Sequence, residues 1–206
     1  NPNGVGATYT WVVFANTGAV TGAGPGSGAL IAQTLTNPTN AQQTVTYRIT
    51  PTSAAGCVGP VFDVDAVVDP APNVLATPSA LTICEDGTTN IVLTNPNAVA
   101  GTTYTWTAVA SGNVTGESDD LTGTLSVISQ MLGLSDDNQG TVTYTITPTS
   151  GAGCTGASVV VVVTVNPKPD ATATDETICS TQTTNIAITN PNGVGATYTW
   201  VVFANT

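Results

Sequence analysis

The first 17 residues of the chain, Asn1 to Thr17, return letter for letter as the last 17, Asn190 to Thr206. A degenerate third copy, Asn95 to Trp106, lies between them. A chain written in repeats folds in repeats, so the period fixes the size of the folding unit. Trp11 and Trp106 are separated by 106 − 11 = 95 residues, and Trp106 and Trp200 by 200 − 106 = 94. The block Thr44–Gly59 recurs as Thr141–Gly156, with Cys57 and Cys154 offset by 154 − 57 = 97. Thr82-Ile-Cys84, followed by Thr88-Thr-Asn-Ile91, recurs as Thr177-Ile-Cys179 followed by Thr183-Thr-Asn-Ile186, offset by 179 − 84 = 95. A unit of this length is too long for a solenoid turn and suits one small all-β domain.

The phase of the repeat matters as much as its length. Residues 1–69 read as the C-terminal part of one repeat, 70–166 as a complete repeat, and 167–206 as the N-terminal part of a further one. A half-core leaves apolar surface and strand edges unpaired. The expectation is a window on a longer array, or neighbouring copies that complete each other. In the second case residues 167–206 of one copy supply front strands to the back strands, residues 18–69, of the next.

Period-two alternation marks the strands. In Thr103-Tyr-Thr-Trp-Thr-Ala108 and Thr141-Val-Thr-Tyr-Thr-Ile-Thr147 apolar residues alternate with threonine, giving one core face and one polar face. Ile91 and Leu93 correspond to Ile186 and Ile188, and Leu121, Leu125 and Val127 read as one face of another strand. No segment has a convincing helical period. Asn-Pro-Asn precedes each Tyr-Thr-Trp strand, and Ser111-Gly-Asn113 fits a hairpin turn. Boundaries fall at Asp69-Pro-Ala-Pro72 and Asn166-Pro-Lys-Pro169, where alternate prolines stiffen the link and remove backbone donors.

Composition excludes several functions. Charged residues are 7% of the chain, against roughly 25% in ordinary globular proteins. Two basic residues face 13 acids, for a net charge of −11, so neither nucleic acid nor an anionic membrane surface is a fitting partner. The longest apolar run, Val159–Val165, is far short of the roughly 20 residues of a spanning helix. With no histidine, no nucleophile elbow and no metal-ligand constellation, catalysis is not expected.

The ordered motifs Thr-Ile-Cys, Thr-Thr-Asn-Ile, Thr-Asn-Pro-Asn, Tyr-Thr-Trp, Thr-Val-Thr-Tyr-x-Ile-Thr-Pro-Thr and Gly-Cys-x-Gly, closed by a Val-rich strand and Asn-Pro-x-Pro, span the chain. Together they resemble the tandem PKD-like, immunoglobulin-like domains of very large surface proteins of Bacteroidota, including adhesins associated with gliding motility. The resemblance implies all-β tandem sandwiches on short Pro-containing linkers, export to the cell surface, and service as an extracellular filament or adhesin stalk, with identical or near-identical repeats as partners. Glu85-Asp-Gly87 and Ser180-Thr-Gln182 depart from the family pattern, which has Ser-Gly after the cysteine.

Four cysteines occur in Gly-Cys and Thr-Ile-Cys contexts, one of each per repeat, without Cys-x-x-Cys spacing. Reactive thiols are one reading; structural disulfides fit a secreted, paired-per-domain pattern better. Within the complete repeat Cys84 and Cys154 are the available pair. Cys57 and Cys179 then pair outside the window or on a neighbouring copy, and Cys57–Cys84 across the linker is a further alternative. Trp11, Trp106 and Trp200 are read as core aromatics; exposed, they and Tyr104 would instead suit a carbohydrate-binding module on a secreted protein, with surface glycans as partners. Glu117, Asp119, Asp120, Asp136 and Asp137 are either solvated turn residues or weak calcium ligands; no other cofactor is expected. Asn113-Val-Thr115 is a formal glycosylation sequon.

Overall fold

A computed structural model describes residues 6–203. The five N-terminal and three C-terminal positions, which carry parts of the duplicated block, lie outside the described residues. Strands dominate; the only helical turn among the described residues is the short Thr17–Ala19 segment.

The first repeat contributes β1 (Ala7–Asn16), β2 (Gly26–Ser27), β3 (Gln43–Ser53) and β4 (Phe62–Val68), forming one antiparallel sheet in the order β2-β1-β3-β4. The second contributes β5 (Leu75–Thr77), β6 (Ala80–Cys84), β7 (Gly87–Thr88), β8 (Ile91–Thr94), β9 (Thr103–Ala110), β10 (Val114–Thr115), β11 (Val127–Ile128), β12 (Met131–Leu134), β13 (Gly140–Thr149) and β14 (Val159–Asn166). One layer has the order β6-β14-β13-β9. The facing layer comprises two pieces, β10-β12-β7 and β11-β8-β5. The fold is all-β, with immunoglobulin-like sandwich geometry.

The threonine alternation predicts one buried face, and β13 supplies it: Val142, Tyr144 and Ile146 are fully buried while the intervening threonines are only partly covered. Val161, Val163 and Val165 of β14 and Tyr104 and Trp106 of β9 extend that face. Ile91, Leu93, Val114, Ile128 and Leu132 meet it from the other layer. Each such aliphatic residue contributes about 1.5–3 kcal/mol on full burial. Three of the buried polar groups between its layers are matched. The Trp106 indole N–H donates to the Ser118 carbonyl at 3.2 Å, and the Tyr144 hydroxyl donates to Gln130 Oε1 at 2.7 Å. The wholly buried Thr89 hydroxyl donates to the Ile128 carbonyl at 2.9 Å and accepts from the Gln130 N–H at 2.9 Å.

Two local expectations fail. Leu121 and Leu125 are exposed and belong to no strand. The Asp120 carboxylate accepts from the Thr122 N–H at 2.8 Å and its hydroxyl at 2.5 Å, turning the chain before a strand can continue. The Ser111–Asn113 turn is not a hairpin: β9 pairs with β13 and β10 with β12, so the turn carries the chain from one layer to the other.

Register defines the poles of the complete repeat. The chain enters beside the β13–β14 loop: a Cβ on Gly156 would collide with the Pro72 carbonyl oxygen, so only glycine fits there. It leaves at Asn166, which lies opposite Cys84 on the parallel neighbour β6. The Asn-Pro-Asn motif clamps each linker. Asn97 Nδ2 donates to the Ala71 carbonyl at 3.0 Å and its Oδ1 accepts from the Asn73 N–H at 2.9 Å. Asn192 repeats both bonds, donating to Lys168 at 2.8 Å and accepting from Asp170 at 3.2 Å.

Candidate functional site

Among the described residues the first repeat follows the pattern of the second from β9 onward. Tyr47 donates to Gln33 Oε1 at 2.7 Å, as Tyr144 does to Gln130. Thr21 bridges Thr36 where β10 meets β12 in the complete repeat. Among the described residues no strand matching β5 to β8 lies beside them.

On that side lies an apolar cleft of about 820 Å³. Tyr9, Trp11, Ile31, Ile49, Pro51 and Phe62 line it. Pairing shows which side chains lost their cover. Tyr47 sits opposite Val64 as Tyr144 sits opposite Val161, yet Val64 is 44% exposed and Val161 1%. Gln33 and Gln130 place Leu30 and Ile31 in register with Val127 and Ile128, the β11 residues that hydrogen-bond to β8. Leu30 is 76% exposed. Two edges therefore stand open: 29–31, where β8 would add, and β4, where β6 would add. The Trp11 indole N–H is buried without an acceptor, unlike that of Trp106.

Residues 167–206 carry the counterparts of β5 to β8 in sequence. Residues 170–189 keep part of the local geometry of β5 and β8: Thr172 bridges Thr189, as Leu75 pairs with Thr94. Ile186 and Ile188, the counterparts of buried Ile91 and Leu93, are 51% and 38% exposed.

The tryptophans divide accordingly. Trp11 and Trp106 are buried, while Trp200, expected in a core, is 81% exposed because no described strand lies over or beside it. Tyr104 and Trp106 are both buried, so the complete repeat presents no aromatic platform for a sugar ring from this strand.

The expected Cys84–Cys154 pairing is corrected. All four cysteines are free. Cys84 lies level with Asn166 at the C-terminal pole; Cys154 lies beyond Thr149 at the N-terminal pole, where Thr149 bridges Thr155. The length of β13 puts about 30 Å between them, far beyond the roughly 7 Å limit of a disulfide. Cys57 lies beyond Ser53, at the pole of the first repeat away from the Asp69 linker, so it is no partner for Cys84 either.

The acids are committed to turns. Asp119 accepts from the Ala108 N–H at 2.7 Å. Asp136 accepts from Asn113 Nδ2 and the Asn138 N–H, both at 3.0 Å, and these bonds hold its carboxyl below the usual range. The Thr122 hydroxyl does the same for Asp120. Asp137 accepts from Asn192 Nδ2 at 3.2 Å, and Glu117 keeps one buried oxygen without a donor. No three acidic or thiol side chains converge among the described residues. Both basic residues are in ion pairs, Arg48 with Asp63 and Lys168 with Asp86, each at 2.8 Å.

Sequence reasoning missed the linker-clamping role of Asn97 and Asn192, the inter-sheet Gln33 and Gln130, and Thr89. Their signal was repetition at the period itself.

Residues 1–72 and 81–169 match the model of the PKD-like domain. The chain belongs to that family, a class of immunoglobulin-type domains that are typically extracellular and non-catalytic, with adhesive or structural roles. No curated protein matches. Among solved structures, Drosophila N-cadherin EC1-3 aligns over 79% of this chain and 56% of its own, at 11% identity and TM-score 0.32. Drosophila N-cadherin EC1-4 aligns over 80% and 43%, at 13% identity and TM-score 0.33. The chain thus spans about half the length of these structures. No helix among the described residues is long and apolar enough to cross a membrane.

Proposed function

We propose that this chain is a structural segment of an extracellular filament or adhesin stalk, of the kind carried by large Bacteroidota surface proteins, in which the open repeat at residues 6–69 is closed by front strands from a neighbouring copy. The observation that carries the reading is the match between the cleft and residues 167–189. The cleft lacks strands with the pattern of β5, β6 and β8, and the exposed segment holds their counterparts.

In the docked arrangement Ile186 pairs with Ile31, as Ile91 pairs with Ile128. Ile178 and Cys179 lie beside Val68 and Asp69, as Ile83 and Cys84 lie beside Val165 and Asn166. Main-chain bonds along both edges supply affinity, and the alternating isoleucines supply register. The donor's Trp200 stretch duplicates the acceptor's β1, so only one of the two occupies that position.

Light scattering coupled to gel filtration, with negative-stain imaging, tests this. The expected result is concentration-dependent growth into end-to-end strings of beads. A monomer at every concentration, with the cleft still open, overturns the reading.

A further inference from the structure

The two linkers are gripped alike at their ends and differently across the junction. On the side of the preceding repeat, Gln42 Nε2 donates to Asp69 Oδ1 at 2.9 Å, and Gln139 Nε2 donates to Asn166 Oδ1 at 2.6 Å. On the side of the following unit, Asn97 holds Ala71 and Asn73, and Asn192 holds Lys168 and Asp170. Each of these grips ties a linker to one side only.

Two further bonds cross a junction, and both are at the second. Lys168 Nζ reaches back to Asp86 Oδ2 in the β6–β7 turn at 2.8 Å. Asn192 Nδ2, which holds the Lys168 carbonyl, also donates to Asp137 Oδ1 in the β12–β13 loop at 3.2 Å. Among the described residues no hydrogen bond or ion pair joins residues 6–69 to residues 71–166. The sequence accounts for the difference. Lys168 falls on Ala71, since 168 − 71 = 97, and Asp137 falls on Asn40, since 137 − 40 = 97, the offset that also relates Cys57 to Cys154. Alanine has no donor, and asparagine carries no charge. Lys168 is the chain's only lysine. Its bond to Asp86, with the nearby Asp86 and Glu85 charges, raises its pKa, so it is cationic at neutral pH.

Both partners of the ion pair are exposed, at 50% and 61%. Exposed pairs are individually weak, so two crossing bonds favour one orientation by a factor on the order of ten and do not lock it. The alternate prolines matter here: they restrict the linker itself, so the bonds select among few orientations rather than ordering a loose tether. An exposed pair is also screened by salt, the screening length falling from about 10 Å at 0.1 M to about 3 Å at 1 M.

We infer that the second junction is a salt-sensitive latch and the first a free hinge. Lys168–Asp86 and Asn192–Asp137 hold the unit after Pro169 against the C-terminal pole of the complete repeat, and the first junction has no such tie among the described residues. This goes beyond the stalk reading and does not depend on strand docking, because both crossing bonds lie within one chain. A stalk with these two junctions bends at one and holds at the other, and the holding junction loosens as ionic strength rises.

Double electron–electron resonance on the 206-residue chain tests this, with labelled chain diluted into unlabelled chain so that only pairs within one molecule are read. Spin labels on Cys57 and Cys154, with Cys84→Ser and Cys179→Ser, span the first junction. Labels on Cys154 and at Ala171→Cys, with Cys57→Ser, Cys84→Ser and Cys179→Ser, span the second; position 171 follows Asp170, whose N–H Asn192 holds. The expected result across the second junction is one narrow distance peak at low salt that broadens in about 1 M salt and in Lys168→Ala. The first-junction distribution should be broad and unmoved by either change. Lys168→Asp alone should lose the narrow peak, and Lys168→Asp with Asp86→Lys should restore it. A second-junction distribution already broad at low salt, or one that keeps its width in Lys168→Ala, overturns the latch. A first junction as narrow as the second overturns the hinge. Failure of strand docking is read separately, by light scattering, and leaves this result standing.

Discussion

Ile91 and Ile186 are equivalent positions of the repeat in different surroundings, and truncating each tests the proposed docking separately from core packing. Ile91 is wholly buried in the complete repeat, and its counterpart Ile186 is 51% exposed. Ile91→Ala removes buried methylenes and leaves a cavity, at a cost of about 2–5 kcal/mol. That is a large share of the ~5–15 kcal/mol that holds a domain of this size together. Ile186→Ala removes atoms that pack little in the isolated chain, so urea unfolding should shift by no more than about 0.5 kcal/mol. In the proposed docked state Ile186 takes the environment of Ile91, so the same core cost should fall on association. A loss of 2 kcal/mol weakens binding between copies by roughly thirty-fold. Urea titration by circular dichroism reads the first effect, and sedimentation across a concentration series reads the second. If Ile186→Ala unfolds the isolated chain as Ile91→Ala does, or leaves association untouched, the assignment of Ile186 to the cleft is wrong.

Three further outcomes are expected. Thr89→Val leaves the Ile128 carbonyl and Gln130 N–H without their buried partner and should cost about 1–3 kcal/mol in urea unfolding. Trp106→Ala should cost about 3–5 kcal/mol, with a matching drop in the thermal midpoint. Burial, with a smaller push from the Glu117 charge, raises the Tyr144 hydroxyl from 10.0 to about 12. Its neutral form is favoured by folding, so this contribution is intact below pH 10 and lost as pH rises through about 12; titration of tyrosine absorbance alongside unfolding should show Tyr144 ionising last and stability falling across that window.

The architecture was legible because the period is written several times over. Threonine alternation named β9 and β13, the Val-rich run named β14, and Trp106 was placed in the core by its position on an alternating strand. Legibility stopped where the outcome depends on which pole a residue occupies. Cys84 and Cys154 look like partners in a one-dimensional count; only the parallel pairing of β6 with β14 reveals that they face opposite ways. Leu121 and Leu125 look like strand residues until Asp120 turns the chain. Trp200 carries the same local sequence as Trp11, yet Trp11 is covered by β2 and β3 whereas Trp200 has no such neighbours. Thr89 and Gln130 act between layers, and no local pattern marks such residues apart from their recurrence at the period.

Amide hydrogen exchange along the two open edges tests strand docking most directly. The backbone of residues 29–31 and of β4 should exchange rapidly in dilute solution and become protected as concentration rises, in step with residues 177–188. Protection that never appears on either edge, while the complete repeat stays protected throughout, would contradict a cleft built to receive another copy's strands.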